Sequence, residues 1–263
     1  MKTETPTPGS RIGAAIRRID TLPRRIFACG DIHGCSSELE VLLSHLESEQ
    51  GLGADDLLVF IGDYIDRGPG SRDVIERLLQ VRAKWPRTVF LKGNHEDMLL
   101  AFLGLGGEGG DVYLANGGNA FFASYGIQPL GALSGIIQQL PSAHLEFIKT
   151  LELGVSVGDY LFVHAGINPA NVLENQAPAD LLWIRGEFIR AKHSLGKTVV
   201  FGHTTFNEVY LDLPYKIGID TGAIYGNKLS VVELSHGDLF QVDVGERQVK
   251  SSRIKELLGG GSR

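Results

Sequence analysis

Three times before Leu103 the chain follows one pattern: a short apolar stretch, a loop of Gly, Asp, His or Asn, and then a segment with helical periodicity. Residues 25–29 lead into Gly30-Asp31-Ile32-His33-Gly34 and on to an amphipathic stretch over 38–46, with Ser36 or Ser37 as its N-cap. Residues 57–61 lead through the loop 62–70 to a helix over 73–85, and 88–91 lead through 92–95 to a helix over 96–102. Strands alternating with helices form a parallel sheet, and ligands of such sheets sit beyond the C-terminal strand ends. The pattern therefore predicts three polar loops opening on one sheet edge.

After Leu103 the pattern stops. Residues 103–151 read as a helical insertion with a Gly-rich loop at 104–110, either a substrate lid or a connector, and a second glycine turn at Asn116-Gly117-Gly118-Asn119. Strands return at 154–157 and 160–163 around a Gly158-Asp159 hairpin turn, and again at 198–201, 216–219, 229–234 and 239–244. The tight turns between them predict a mixed or antiparallel second sheet. Residues 1–24 are expected to be a flexible arm, 25–250 a single domain carrying the insertion, and 251–263 a tail.

Charge and apolar patterning narrow the function classes. A net charge of -6 argues against a general grip on nucleic acid, which needs a basic face. No apolar run reaches the roughly 18 residues of a membrane span, so no membrane partner is expected. Cys29 and Cys35 are the only cysteines, which points to a cytoplasmic location. Cys29 reads as a small buried side chain, whereas Cys35, near a helix start and a metal loop, is a candidate for an acidic, oxidisable thiol.

The residues able to bind metal fall at predicted strand ends: Asp31 and His33, Asp63, Asn94, His164 and His203. Glycine stands beside most of them, as in Gly30-Asp31, Gly62-Asp63 and Gly202-His203, where it lets the backbone turn sharply. Nitrogen and carboxylate donors together suit first-row metals such as manganese, iron or zinc. Two ions are accommodated if one carboxylate bridges them, and Asp63, central in chain order, is assigned the bridge. Asp31, His33 and Asp63 would hold the first ion; Asp63, Asn94, His164 and His203 the second. With the ions roughly 3.5–4 Å apart, a shared water would lose a proton near neutral pH and attack phosphorus directly.

A phosphoester also needs partners for its oxygens and its leaving group. Arg67 is a candidate bidentate clamp and Arg185 a second; Asn94 is also placed near the phosphate. Arg185 has an alternative as an exposed helix arginine pairing with Glu187. His95 is the candidate proton donor, with Asp66 holding its ring. Asp220 is either an orienting partner for a ligand histidine or a turn cap. His45, His144, His193 and His236 lie away from glycine-flanked strand ends and read as structural.

Gly30-Asp31-Ile32-His33-Gly34, Gly62-Asp63-Tyr64-Ile65-Asp66-Arg67-Gly68, Gly93-Asn94-His95-Glu96, Val163-His164-Ala165-Gly166 and Gly202-His203 resemble, in order, the signature blocks of the phosphoprotein phosphatases within the calcineurin-like metallophosphoesterases. Asn116-Gly117-Gly118 and Leu181-Leu182-Trp183-Ile184-Arg185 are similar to segments of the bacterial and lambda-phage branch, which is what places the second phosphate arginine at Arg185. The resemblance implies an αββα sandwich of two mixed sheets flanked by helices, with a dimetal site at its edge activated by manganese-type ions. It implies the same ligand division and direct attack by a hydroxide between the ions. It also implies a serine/threonine protein phosphatase acting on phosphorylated proteins or small phosphoesters. The symmetrical diadenosine tetraphosphate hydrolases share much of the framework, and they or another nucleotide polyphosphate hydrolase stand as the alternative.

Overall fold

The structure is a computed structural model that describes residues 11–12 and 15–254. In chain order its strands are β1 (Arg11–Ile12), β2 (Ile16–Ile19), β3 (Ile26–Cys29), β4 (Leu57–Phe60), β5 (Thr88–Phe90), β6 (Gly154–Val157), β7 (Tyr160–Val163), β8 (Thr198–Phe201), β9 (Tyr210–Asp212), β10 (Lys216–Gly218), β11 (Lys228–Glu233), β12 (Asp238–Asp243) and β13 (Lys250–Arg253). The helices are α1 (Ser36–Ser48), α2 (Ser71–Lys84), α3 (Asn94–Phe102), α4 (Gly118–Ser124), α5 (Leu133–Gln139), α6 (Ser142–Lys149), α7 (Pro178–Trp183) and α8 (Gly186–Arg190).

One sheet has the order β13-β12-β11-β3-β4-β5; its β3, β4 and β5 run parallel and β11 to β13 add antiparallel strands. The other has the order β1-β2-β6-β7-β8-β10-β9, with β7, β8 and β10 parallel and the expected β6–β7 hairpin antiparallel. Alternation of side chains along each strand explains why two sheets stack. Ile26 and Ala28 of β3 and Leu57 and Val59 of β4 face a layer shared with Val155, Phe162, Val200 and Ile217 of the other sheet. Their neighbours Phe27, Cys29, Leu58 and Phe60 point the other way, into a cluster with α1, α2, α3 and α6. Leu161, Val163, Val199 and Phe201 likewise pack outward against Leu181 of α7 and Phe188 of α8. Strands buried on both faces must be apolar throughout, which is how these runs read. The result is the αββα sandwich that the resemblance implies.

Several boundaries differ from expectation. Residues 16–19, assigned to the flexible arm, form β2, paired in parallel with β6; Ile16 is fully buried and Arg17 forms a two-point ion pair with Glu152 at 2.6 and 2.9 Å. The arginines mask this strand in sequence, yet Arg17 is only partly exposed beside Glu152 and Arg18, on the opposite face, is open to solvent. The rest of the arm, residues 1–10, lies outside the described residues, as do 13–14 and most of the tail. Residues 251–253, expected in that tail, belong to β13 on the sheet edge. Helix α1 begins at Ser36 with Cys35 at the capping position and no side-chain cap, so neither Ser36 nor Ser37 caps it. Burial, with Glu38 adding to it, pushes the Cys35 thiol up to about 12, opposite to the acidic thiol expected there. Among the described residues no helix is long and apolar enough to cross a membrane.

Strand β2 gives a direct test. Ile16→Ala removes buried methyl groups and is expected to cost about 2–5 kcal/mol in urea unfolding. An unchanged unfolding midpoint would contradict the docking of this segment.

Candidate dimetal centre

The candidate ligands sit where parallel strands end. Asp31 and His33 follow β3, Asp63 follows β4, Asn94 opens α3 after β5, His164 follows β7 and His203 follows β8. The two sheets thus deliver donors to one edge from both layers. Sharp turns fall on the candidate site residues: among the described residues, the non-glycine ones with left-handed backbone are His33, Asp63, Asp66, Arg67 and His203, with φ between 44° and 70°. Side chains rarely accept this region, at a cost of about 1–3 kcal/mol each. Glycine takes such a turn at Gly34, Gly62 and Gly166, with φ of 70°, 105° and 153°, and elsewhere it makes room. A Cβ on Gly93 would stand 2.1 Å from Oδ1 of Asp63, and one on Gly202 would stand 2.0 Å from Oδ1 of Asp31.

Asp63 lies at the middle. Its Oδ2 is 3.3 Å from Nε2 of His33 and its Oδ1 is 3.5 Å from Nε2 of His164, so each oxygen faces a different imidazole. The outer nitrogens are already committed: Nδ1 of His33 lies 2.9 Å from the carbonyl of Ile65 and Nδ1 of His164 lies 2.9 Å from that of Ile61. A carbonyl can only accept, which puts a proton on Nδ1 and turns each Nε2 toward the centre, where that of His33 accepts from Arg67 at 2.8 Å. Nε2 of His164 also approaches Oδ1 of Asn94 at 3.0 Å, and the amide oxygen is a further donor atom. Potential ligand atoms of Asp63, His164 and His203 lie within 4.8 Å of one another, as do those of His33, Asp63 and His95.

The compact first group holds His95 where Asp31 was expected. Asp31 is drawn toward β8, with Oδ2 accepting the His203 N–H at 3.0 Å, while its Oδ1 has no hydrogen-bond partner. Nε2 of His203 is buried and unpartnered as well. Buried polar atoms are nearly always satisfied, so a carboxylate oxygen and an imidazole nitrogen left open mark a place for a cation. The charge balance agrees. Burial, then Asp220 and Asp63, push the Asp31 carboxyl well above its ordinary range. For Asp63 burial acts in the same direction, but His164, His95 and His33 outweigh it and hold the carboxyl well below that range. Burial lowers the His164 ring and, with His164 and Arg185 nearby, drives His203 down to about 2, keeping both in the neutral form that binds metal. Nitrogen and carboxylate donors on the two sides of Asp63 fit two first-row divalent cations.

Around these ligands stand the groups assigned to substrate. Nδ1 of His95 lies 2.7 Å from Oδ2 of Asp66, both fully buried, and the His95 ring stands edge-on to His33 with centroids 4.7 Å apart. Arg67 donates NH1 to Nε2 of His33 at 2.8 Å, and its guanidinium lies over the exposed ring of Tyr225 at 5.8 Å. Arg185 is exposed and donates NH1 to the carbonyl of His203 at 2.8 Å, next to the second ligand group. Asp220 accepts from Thr205 at 2.7 Å and from the N–H of Gly222 at 3.0 Å, the turn-capping arrangement of its two alternatives.

Glu96 has a task that sequence reasoning did not assign. Its buried carboxylate accepts the N–H groups of Asp63, Tyr64, Ile65 and Gly93 at 2.8–3.3 Å, and so clamps the loop that bears Asp63 to the start of α3. Its position three residues after Gly93, the capping-box spacing, is the signal that could have found it. Trp183, 37% exposed, stands edge-on to His203 at 6.1 Å and forms part of the rim.

The family model described as "Calcineurin-like phosphoesterase" matches residues 24–231. Serine/threonine-protein phosphatase 1 of Salmonella typhimurium is 32% identical over 219 residues, covering 80% of this chain and 92% of its own. A relative from Oceanobacillus iheyensis, named bis(5'-nucleosyl)-tetraphosphatase PrpE [asymmetrical], is 30% identical, covering 85% of this chain and 93% of its own. A crystal structure of the cold-active protein-tyrosine phosphatase of a psychrophilic Shewanella species shares the fold, with a TM-score of 0.60 at 17% identity over 92% of this chain and 83% of that one. The chain belongs to the calcineurin-like phosphoesterase family and is a metal-dependent phosphoric ester hydrolase.

Proposed function

We propose that the chain is a phosphomonoester hydrolase of the serine/threonine protein phosphatase kind, working with two divalent cations, manganese foremost. The observation that carries this reading is the Asp66–His95 pair, 2.7 Å long and fully buried, standing beside a carboxylate that faces histidines on both sides. A serine alkoxide is a poor leaving group and needs a proton as it departs, so a positioned acid suits this substrate class.

Asp63 would be shared by both cations, with Asp31 and His33 on one and Asn94, His164 and His203 on the other. Such a pair supplies Lewis acidity and lowers the pKa of a shared water toward neutrality. The chain's own groups do the rest. Arg67 and Arg185 reach the non-bridging phosphoryl oxygens with forked N–H donors, and the Asn94 amide lies beside them. His95 donates the Nε2 proton to the leaving oxygen while Asp66 holds Nδ1 and so aims the ring. The relative with a protein phosphatase name supports the substrate class.

A second reading, hydrolysis of dinucleoside polyphosphates, is favoured by the exposed rings of Trp183 and Tyr225 on the rim, where bases would stack. The symmetrical hydrolases were the alternative read from sequence; the relative from Oceanobacillus iheyensis carries the asymmetrical name.

Two measurements test the proposal. His95→Asn is expected to lower turnover by roughly 10²–10⁴ with bound metal unchanged, because only proton transfer is lost; equal turnover would contradict the acid assignment. With manganese, kcat/KM for a phosphoserine or phosphothreonine peptide is expected to exceed that for diadenosine tetraphosphate. The reverse order would favour the second reading.

A further inference from the structure

Only one side of the Asp66 carboxylate is used by His95. The other oxygen, Oδ1, accepts a 2.7 Å hydrogen bond from the hydroxyl of Tyr113, a residue of the helical insertion 47 positions away. Tyr113, Asp66 and His95 are all essentially without solvent exposure. Burial, then Asp66, hold the phenol well above its ordinary pKa, so its hydroxyl stays a donor.

The insertion is shaped around this contact. Tyr113 joins the single-turn 3-10 segments Gly110–Val112 and Leu114–Asn116 in the chain, and its ring packs against Phe102 and Phe122, with centroids 5.5 and 6.1 Å away. Gly118 leaves space for it: a Cβ there would meet the ring at 2.5 Å. The same turn reaches the substrate side, since the carbonyl of Gly117 accepts the N–H of Arg67 at 3.2 Å. Asp66 itself has a left-handed backbone, φ 70°, and its carboxylate is held from two directions, by His95 and by Tyr113.

We infer that Tyr113 is a positioning residue for the general acid: its hydroxyl fixes the Asp66 carboxylate so that Oδ2 aims the His95 ring at the leaving oxygen. The inference rests on the assignment of His95 in the proposed function. Without the hydroxyl, Oδ1 of Asp66 is a buried carboxylate oxygen with no partner, free to turn toward another donor and take the ring with it. A tie that merely fastened the insertion to the sheet would leave the proton transfer untouched.

The test separates these roles by leaving group. The full chain with manganese is assayed on 4-nitrophenyl phosphate, whose leaving group hardly needs a proton, and on phenyl phosphate, whose leaving group does. Tyr113→Phe is expected to lower kcat on phenyl phosphate roughly tenfold more than on 4-nitrophenyl phosphate, a fraction of what a positioned acid supplies, with KM little changed. Gly118→Ala, which crowds the ring without altering its hydroxyl, is expected to steepen the dependence in the same direction, and carries the comparison if Tyr113→Phe does not fold. Equal slowing on both substrates overturns the inference. His95→Asn run alongside tells the two claims apart. If it steepens the dependence and Tyr113→Phe does not, only the role of Tyr113 falls. If it leaves the dependence as in the unmodified chain, the acid assignment falls and this inference with it.

Discussion

A single carboxylate, Asp63, faces an imidazole from each sheet's side of the site, and the rest of the architecture serves to keep it there. Buried beside Asp31 and Glu96, it is one of several acids in a space that water does not screen. Carboxylates so crowded raise one another's pKa unless cations intervene. The chain sets the imidazoles of His33 and His164 beside them, with the outer nitrogens tied to backbone carbonyls and each Nε2 turned inward. Acidic crowding and nitrogen donors are thus two aspects of one candidate cation site.

Holding that arrangement requires strain, and the strain lies on the candidate site residues. His33, Asp63, Asp66, Arg67 and His203 all adopt left-handed backbone, a conformation that persists only where the surroundings dictate it. Two buried clamps do so here. Glu96 gathers the N–H groups of the Asp63 loop onto α3, and Ser71 at the start of α2 accepts the N–H of Asp66. Since these helices are seated by apolar residues such as Leu78, Leu99 and Met98, the precision of the site is derived from the same core that stabilises the sandwich.

Much of this was legible in the residues, and the reasons are local. An apolar run followed by Gly-Asp or Gly-Asn-His states both where a strand stops and what chemistry follows it, so the donors and the parallel half of the first sheet could be read directly. The sandwich came from the order of the blocks, because period-two alternation alone does not say that two sheets stack. Strand β2 was hidden because Ile16-Arg17-Arg18-Ile19 looks polar unless one knows that Arg17 pairs with Glu152, 135 residues on. Glu96 and Tyr113 were hidden for a related reason: their partners are backbone N–H groups and a carboxylate brought close only by the fold. The glycines were recognised as important, but at Gly93 and Gly202 they give way to neighbouring carboxylate oxygens while the ligands take the turn.

The sharing of Asp63 is most directly tested by a crystal structure of the chain grown with manganese, with the ions located by anomalous scattering. The account predicts two manganese ions about 3.5–4 Å apart, one on the His33 side and one on the His164 side, with an oxygen of Asp63 bound to each or one oxygen bound to both. A single ion, or two ions of which only one touches Asp63, would contradict it.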